Sequence, residues 1–302
     1  MKVRFFFVIA AIIFLFIGVE LFYNFLPITF ERTDQVMGTT VRIKVRGPAS
    51  PYLTKRAIYE IKRLEKIFSS FRKDSEISLI NSLAGKAPLQ VSLDTFKVLK
   101  MAVEVNRLSK GAFDVTLGHA RDLELNEKLR KVYLKRKGVK IDLGGIGKGY
   151  AVELSRQFLM RKGVKSAIID MHSSIAVIGG PWRVGVIDPR NRKPEARSQR
   201  TEERNQKLLG VVSLNDGEAL STSGQYEQPG HIIDPRTGST AVKCLSVTIV
   251  GKNAGFVDAL STAVFVLGPM EGMKLVQSLP SMEALVVDKQ GRTLKSKGLG
   301  LL

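Results

Sequence analysis

The stretch IDLGGIGKGYAVE, Ile141 to Glu153, joins a strand expected to end near Ile141 to a helix expected over Tyr150–Arg161. Glycines at 144, 145, 147 and 149 crowd this strand-to-helix joint. Two readings of that crowding stand side by side. Free backbone N–H groups and the positive end of the helix dipole can hold a phosphate there. Equally, the glycines can form a tight turn that lets two elements pack closely. The spacing matches neither the P-loop nor the G-x-G-x-x-G fingerprint. Asp142 before the glycines and Lys148 among them suit a polar ligand.

Working outward, Val41–Val45 (VRIKV) alternates apolar and basic residues as a half-exposed strand does. Apolar residues recur at helical spacing over Tyr52–Phe71 and again over Thr95–Leu108. Downstream, short apolar strands are expected at Ser166–Ile169, Ile175–Ile178, Trp182–Ile187, Leu208–Leu214 and Leu245–Val250. A last helix, Ala254–Leu267, precedes a strand at Ala284–Val287 and a terminal hairpin through Gly291. Antiparallel-looking strands with separated helices indicate an α+β fold.

A chain of 302 residues, 44% hydrophobic and 25% charged, can bury a full core. Forty-seven Lys and Arg against 28 Asp and Glu leave a net charge of +19, which implies affinity for something anionic. Lys128–Lys140 holds seven basic residues and no acid, and Arg190–Lys207 reads as a long exposed, partly mobile loop. No helix-turn-helix, zinc finger or aromatic-interleaved motif accompanies this charge, so no nucleic acid is expected as partner. Anionic lipid fits better, because Lys2 and Arg4 precede an uncharged run from Phe5 to Val19. With Glu20 at an interface, residues 1–28 make a signal peptide or an uncleaved transmembrane anchor. The absence of an A-x-A-like site around Tyr23–Leu26 favours the anchor. Lys2 and Arg4 then stay in the cytoplasm. The catalytic domain, residues 33–302, would stand on the periplasmic or extracytoplasmic side of the inner membrane. The single cysteine, Cys244, excludes an intrachain disulfide and reads as a small core residue.

Asp258 and Thr262 lie four apart on a helix and can present a carboxylate and a hydroxyl on one face. Such hard oxygens suit Mg²⁺, although an Asp near a helix start also serves as dipole compensation. His231 stands in HIIDPRTG before a turn from Asp234 to Gly238, where a lone histidine is either a structural hydrogen-bonder or a base. His119 and His172 pose the same choice.

Together these pieces resemble the ApbE family, the FAD:protein FMN transferases. The markers run in the family's order: MGTT at Met37, SEISLIN at Ser75, GAFDVTLG at Gly111, IDLGGIGKGYAVE at Ile141, PWRVGVIDPR at Pro181, STSGQYE at Ser221, HIIDPRTG at His231 and VDALSTAVFVLG at Val257. The resemblance spans about Gln35 to Leu294. It implies an ApbE-like, T-fold-like domain of mixed sheets with flanking helices, set behind the N-terminal transmembrane helix. It also implies Mg²⁺-dependent transfer of the FMN half of FAD to a Ser/Thr hydroxyl of an acceptor flavoprotein, with AMP released.

Carried over by position, the resemblance places flavin contacts at Met37, Ala112, Phe113, Asp114, Asp142, Lys148 and Ile233. It puts the metal at the carbonyl of Gly145 and the side chains of Asp258 and Thr262, with Ser261 nearby, and the base at His231. The chain departs from the family where a glycine-rich NIGGD-like segment is usual and Asp170–Ser174 reads DMHSS. It also has SGQYE where SGDYE is usual, and a shorter stretch after Gly118. Two alternatives share these ligands: hydrolysis of FAD to FMN and AMP, and flavin binding without catalysis.

Overall fold

The computed structural model describes residues 29–47, 50–191, 207–225 and 230–302. The expected anchor, residues 1–28, and nearly all of the expected Arg190–Lys207 loop lie outside these residues. Among the described residues no helix is long and apolar enough to cross a membrane.

Strands β1 (Thr29–Val36) and β2 (Thr39–Arg46) pair antiparallel from Thr29↔Arg46 to Val36↔Thr39. Met37 and Gly38 make the turn with φ of 52° and 71°. Positive φ at both central positions matches the twist of a two-residue hairpin. The sheet thus begins at Thr29, ahead of the boundary expected at residue 33. A chain cut at Thr33 would lose half of β1.

Helices α1 (Ser50–Phe68), α2 (Glu76–Ser82) and α3 (Leu93–Leu108) follow. Ser75 and Ser92 cap the second and third, accepting from the N–H groups of Ser78 and Thr95. A small sheet in the order β3 (Leu89–Gln90), β5 (Lys131–Leu134), β4 (Leu123–Asn126) carries part of the basic Lys128–Lys140 stretch.

The strand expected to end near Ile141 does not form. Strand β5 stops at Leu134, and Asn81 replaces a strand partner at Ile141 by bonding both its N–H, 2.7 Å, and its carbonyl, 3.1 Å. Helix α4 begins at Gly147, one turn before the expected Tyr150, and runs to Arg161.

Beyond it, β6 (Ala167–Asp170) and β7 (Ser174–Ile178) join the hairpin. Strands β10 (Ala219–Gly224), β11 (Cys244–Gly251), β12 (Glu283–Asp288) and β13 (Thr293–Lys295) complete an eight-stranded sheet ordered β1-β2-β6-β7-β10-β11-β12-β13. Every pairing in it is antiparallel, so the sheet is not mixed in direction. Central strand β10 is missing from the sequence-based strands because ALSTSG carries no apolar run.

Strand β7 is buried throughout, and its alternation feeds two cores. Ala176 and Ile178 face the helical side, with α1, α3 and α4. Ile175 and Val177 face a separate ribbon of β8 (Trp182–Ile187) and β9 (Leu208–Leu214). Helix α5 (Ala254–Leu267) packs with β11 and β12 in a further cluster. It is not the last helix: Gly268, at φ 86°, turns the chain directly into α6 (Pro269–Gln277). Cys244 is buried in β11, and burial pushes its thiol up to about 12.

Candidate active site

A cavity of about 630 Å³ opens between the ends of β2, β7 and β10, the start of α4 and the inner face of α5. Met37, Ala112, Phe113, Asp114, Asp142, Gly145, Lys148, His231, Ile233, Asp258 and Thr262 all line it. Segments more than 200 residues apart are therefore brought to one place.

The floor is built around Asp258. Its side chain is buried, Oδ2 accepts from the N–H of Gly149 at 2.9 Å, and Oδ1 accepts from Ser221 Oγ at 2.8 Å. Ser221 Oγ also lies 2.9 Å from Ser174 Oγ and 2.9 Å from the carbonyl of Ser173. Burial pushes the Asp258 carboxyl above its ordinary range, while the Lys148 ammonium, the Gly149 amide and the Ser221 hydroxyl pull it back down. Dipole compensation does not explain this residue. The first turn of α5 is capped instead by Asn253, whose side chain accepts from Phe256 N–H at 3.0 Å.

Thr262 lies one turn further along. Its hydroxyl is 3.1 Å from Ser223 Oγ, which is 2.7 Å from Ser261 Oγ. A Cβ built on Gly145 would stand 3.3 Å from Thr262 Oγ1 and 3.1 Å from the Phe113 ring, so the glycine backbone sits against both. Carboxylate, hydroxyls and backbone thus form one oxygen-rich patch. Among the described residues no group of three or more His, Cys, Asp or Glu is arranged to hold a metal ion.

The glycine loop follows its packing reading more than its phosphate reading. Gly144 N–H is spent on Asp142, Ile146 and Gly147 N–H on the Leu143 carbonyl, and Gly149 N–H on Asp258. A Cβ at Gly149 would lie 2.3 Å from the Ala254 carbonyl and 2.4 Å from Asp258 Cβ. This glycine is what lets α4 meet α5. Lys148 makes no ion pair among the described residues and lines the cavity beside Asp258.

The side wall is rigid. Ala112 and Phe113 are buried, and Asn106 holds the Phe113 carbonyl at 2.7 Å. Asp114 spends both oxygens on its own loop, accepting from Thr116 N and Oγ1 and from Gly118 and Ala120 N. It shapes the wall, with little capacity left for a ligand. Asp142 is exposed, lines the cavity and accepts from Gly144 N–H through one oxygen.

Turns make the rim. Met37 is held in its left-handed conformation by Glu65, which accepts its N–H at 2.6 Å. His172 also has positive φ, 66°, in the short turn between β6 and β7, with Asp170 accepting its N–H at 2.7 Å. A glycine would sit there without strain, which is the physical content of the DMHSS departure. Ser173 Oγ is buried without a partner.

His231 lies exposed on an arm whose base is fixed: Ala241 N–H bonds the Ile232 carbonyl, Ile233 bridges Thr240, and Arg236 clamps Asp234 through two nitrogens. The Pro235 carbonyl approaches so near Gly118 that a Cβ there would be 2.5 Å away, which fixes the arm to the side wall. His119 lies away from the cavity lining and meets Arg136. Gln225 fastens the base of the same region through the Ala241 carbonyl and Gly230 N–H.

Sequence reasoning overlooked two sets of residues. Ser174, Ser221 and Ser223 sit within motifs already quoted, but only the sheet brings them to Asp258 and Thr262. Phe71, 96% exposed at the cavity mouth, is the other. A fully exposed aromatic lining a cavity is a platform for a flat ring.

The model of the ApbE family matches residues 37–124 and 119–286 of the chain. A FAD:protein FMN transferase of Treponema pallidum is 28% identical, over 89% of this chain and 87% of that protein. One of Vibrio cholerae is 29% identical, over 80% and 82%. Among solved structures, an ApbE protein of Thermotoga maritima superposes with a TM-score of 0.78 at 28% identity, covering 89% of this chain and 97% of that one. The flavin transferase ApbE of Vibrio cholerae gives 0.76 at 25% identity, with the same coverage.

Proposed function

Because the chain belongs to the ApbE family, we propose that it is an enzyme that moves the FMN moiety of FAD onto a side chain of another protein. The observation that carries this reading is the convergence of the expected flavin, metal and base positions on one cavity floored by a buried carboxylate. A cavity of about 630 Å³ is large enough for most of a dinucleotide.

The acceptor is a Ser or Thr hydroxyl of a flavoprotein. Its oxygen forms a bond to the FMN-side phosphorus, the bond from that phosphorus to the bridging oxygen breaks, and AMP leaves with the electron pair. His231, on its braced arm at the rim, takes the hydroxyl proton, a task suited to imidazole near neutral pH. Lys148 places positive charge beside the phosphates, and Phe71 offers its exposed face to a flavin or adenine ring.

The floor also fits Mg²⁺. A buried carboxylate lifted by desolvation gains from a cation, and hydroxyl and carbonyl oxygens complete a hard donor set that leaves positions for phosphate. Asp258, Thr262 and the Gly145 carbonyl would hold the ion. Bound there, it would offset charge developing on the phosphates.

For its address, the uncharged run Phe5–Val19 after Lys2 and Arg4 supports an inner-membrane anchor with the catalytic domain on the extracytoplasmic side. The test mixes the full chain with FAD, Mg²⁺ and an acceptor flavoprotein, and follows intact mass and AMP. An FMN-sized gain on the acceptor with AMP release is the expected result. Free FMN and AMP without an adduct would make it a hydrolase, and an unaltered FAD pool would overturn the enzyme reading.

A further inference from the structure

The cavity occupies one end of the β1–β2 hairpin, at Met37. The opposite end has a distinct chemistry. Thr29, where the preceding chain enters the fold, pairs with Arg46, and Arg46 N–H bonds the Ser166 carbonyl. The same end receives two helix termini. Phe68 stacks near Tyr150, and Ser155 reaches the Ala57 carbonyl, so α1 and α4 run antiparallel. The start of α1 therefore lies beside the end of α4.

On this face Arg46, Lys55, Arg56, Arg161, Lys162 and Lys165 are all exposed, and none forms an ion pair among the described residues. Elsewhere on the surface basic residues commonly have acidic partners, as in Lys62–Asp34, Arg63–Asp94 and Arg136–Asp122. The acids bordering the face are engaged elsewhere: Glu60 on α1 pairs with Arg63, Glu31 on β1 pairs with Arg42, and Asp216 accepts from Gly179 N–H. Tyr52 and Tyr59, 66% and 57% exposed, stand among these cations together with Met160, 49% exposed. Arg56 lies over the Tyr59 ring and Arg46 over that of Trp182.

We propose that this end face docks on the anionic headgroups of the membrane. Unpaired cations supply the attraction, and exposed tyrosines suit the headgroup layer, where amphipathic rings collect. The chain supplies the location: the residues before Thr29, with their uncharged run Phe5–Val19, leave the fold at this face and not at the cavity. Docking fixes the orientation of the domain. Strand β1 spans roughly 25 Å and α4 about 22 Å, so the cavity, at the other end of both, is held that far above the bilayer. The inference rests on the proposed membrane address, not on the flavin chemistry.

The experiment places the full chain in vesicles of phosphatidylcholine alone or with phosphatidylglycerol. A fluorophore is attached at Lys162→Cys on the face or at Leu117→Cys at the cavity mouth; buried Cys244 stays unlabelled. A headgroup-attached quencher should reach the first probe and not the second, only with phosphatidylglycerol and only at low salt. Reversing Lys55, Arg56 and Lys165 to Glu should abolish that difference, each lost cation lowering docked occupancy about fivefold. Equal quenching at both positions would show a freely tumbling domain and overturn the proposal. So would quenching at Lys162→Cys indifferent to lipid charge, and so would none at all, which would leave the face to an acidic protein. FMN transfer is not read in this assay, so failure here and failure of the transferase reading are separable.

Discussion

The floor and the rim of the cavity are built by opposite means. The floor is a seam between α4 and α5, closed by Gly149 and buried hydrogen bonds to Asp258. The rim is a set of turns, several with strained or exposed residues: Met37, Phe71, Leu117, His172 and the His231 arm. Packing that tolerates no added atom fixes the floor, whereas local turn chemistry fixes each part of the rim independently. Chemistry that needs fixed charge belongs on the floor. Recognition of a ring or a protein acceptor belongs on the rim.

The largest effect should come from Gly149→Ala. Its Cβ would meet the Ala254 carbonyl at 2.3 Å, a backbone atom that cannot rotate away. The two helices must separate, at a cost of about 3 kcal/mol. Urea unfolding would register this as a lower midpoint at unchanged slope. An unchanged midpoint would mean the seam is soft, and the contrast with the rim would fail.

Asp258→Asn separates charge from packing in the same floor. Transfer should fall to background while the protein stays folded. Because burial raises the wild-type carboxyl, folding favours its protonated form over its ionised one, and stability declines as pH rises from about 4 through the raised value. The Asn variant lacks that decline, so without Mg²⁺ it should be at least as stable as wild type, most visibly at high pH. Added Mg²⁺ should raise the melting temperature of wild type and not of the variant. A shift of equal size in both would remove Asp258 from the metal site.

On the rim, His231→Ala should slow transfer by about 10²–10⁴ with little change in FAD affinity or unfolding midpoint, because the arm is held by Ile232, Asp234 and Pro235. Equal loss of binding and transfer would make the histidine a ligand contact.

The same contrast explains what the sequence made legible. Helices α1 and α3 follow from periodicity because one face of each is buried, and strands such as β7 and β11 follow from continuous apolar runs because both of their faces are buried. Asp258 and Thr262 were readable as a pair because helix geometry alone puts them on one face. Ser221 was not readable as their partner, since only pairing of β10 with β7 and β11 brings a polar strand under α5. The strand expected at Ile141 failed for a related reason: Asn81, sixty residues away, satisfies its backbone. Asp114 sat in a family motif, yet its four local hydrogen bonds make it a builder of the wall.

The smallest effect tests the rim's independence most directly. His172 holds φ at 66°, a conformation that costs an L-residue roughly 1–2 kcal/mol and a glycine almost nothing. His172→Gly gives part of that back to the unfolded chain's extra freedom, so a net gain of about 1 kcal/mol is expected by urea unfolding. The turn is anchored by Met171 N–H to the Ser174 carbonyl, by Ser173 N–H to the Met171 carbonyl and by Thr222 N–H to the Ser173 carbonyl. The floor below should therefore keep its Mg²⁺-dependent melting shift, and the transfer rate should change by no more than a few-fold. A large change in the Mg²⁺ response would mean that strain in this turn is transmitted through Ser173 and Ser221 to Asp258, joining rim and floor into one device.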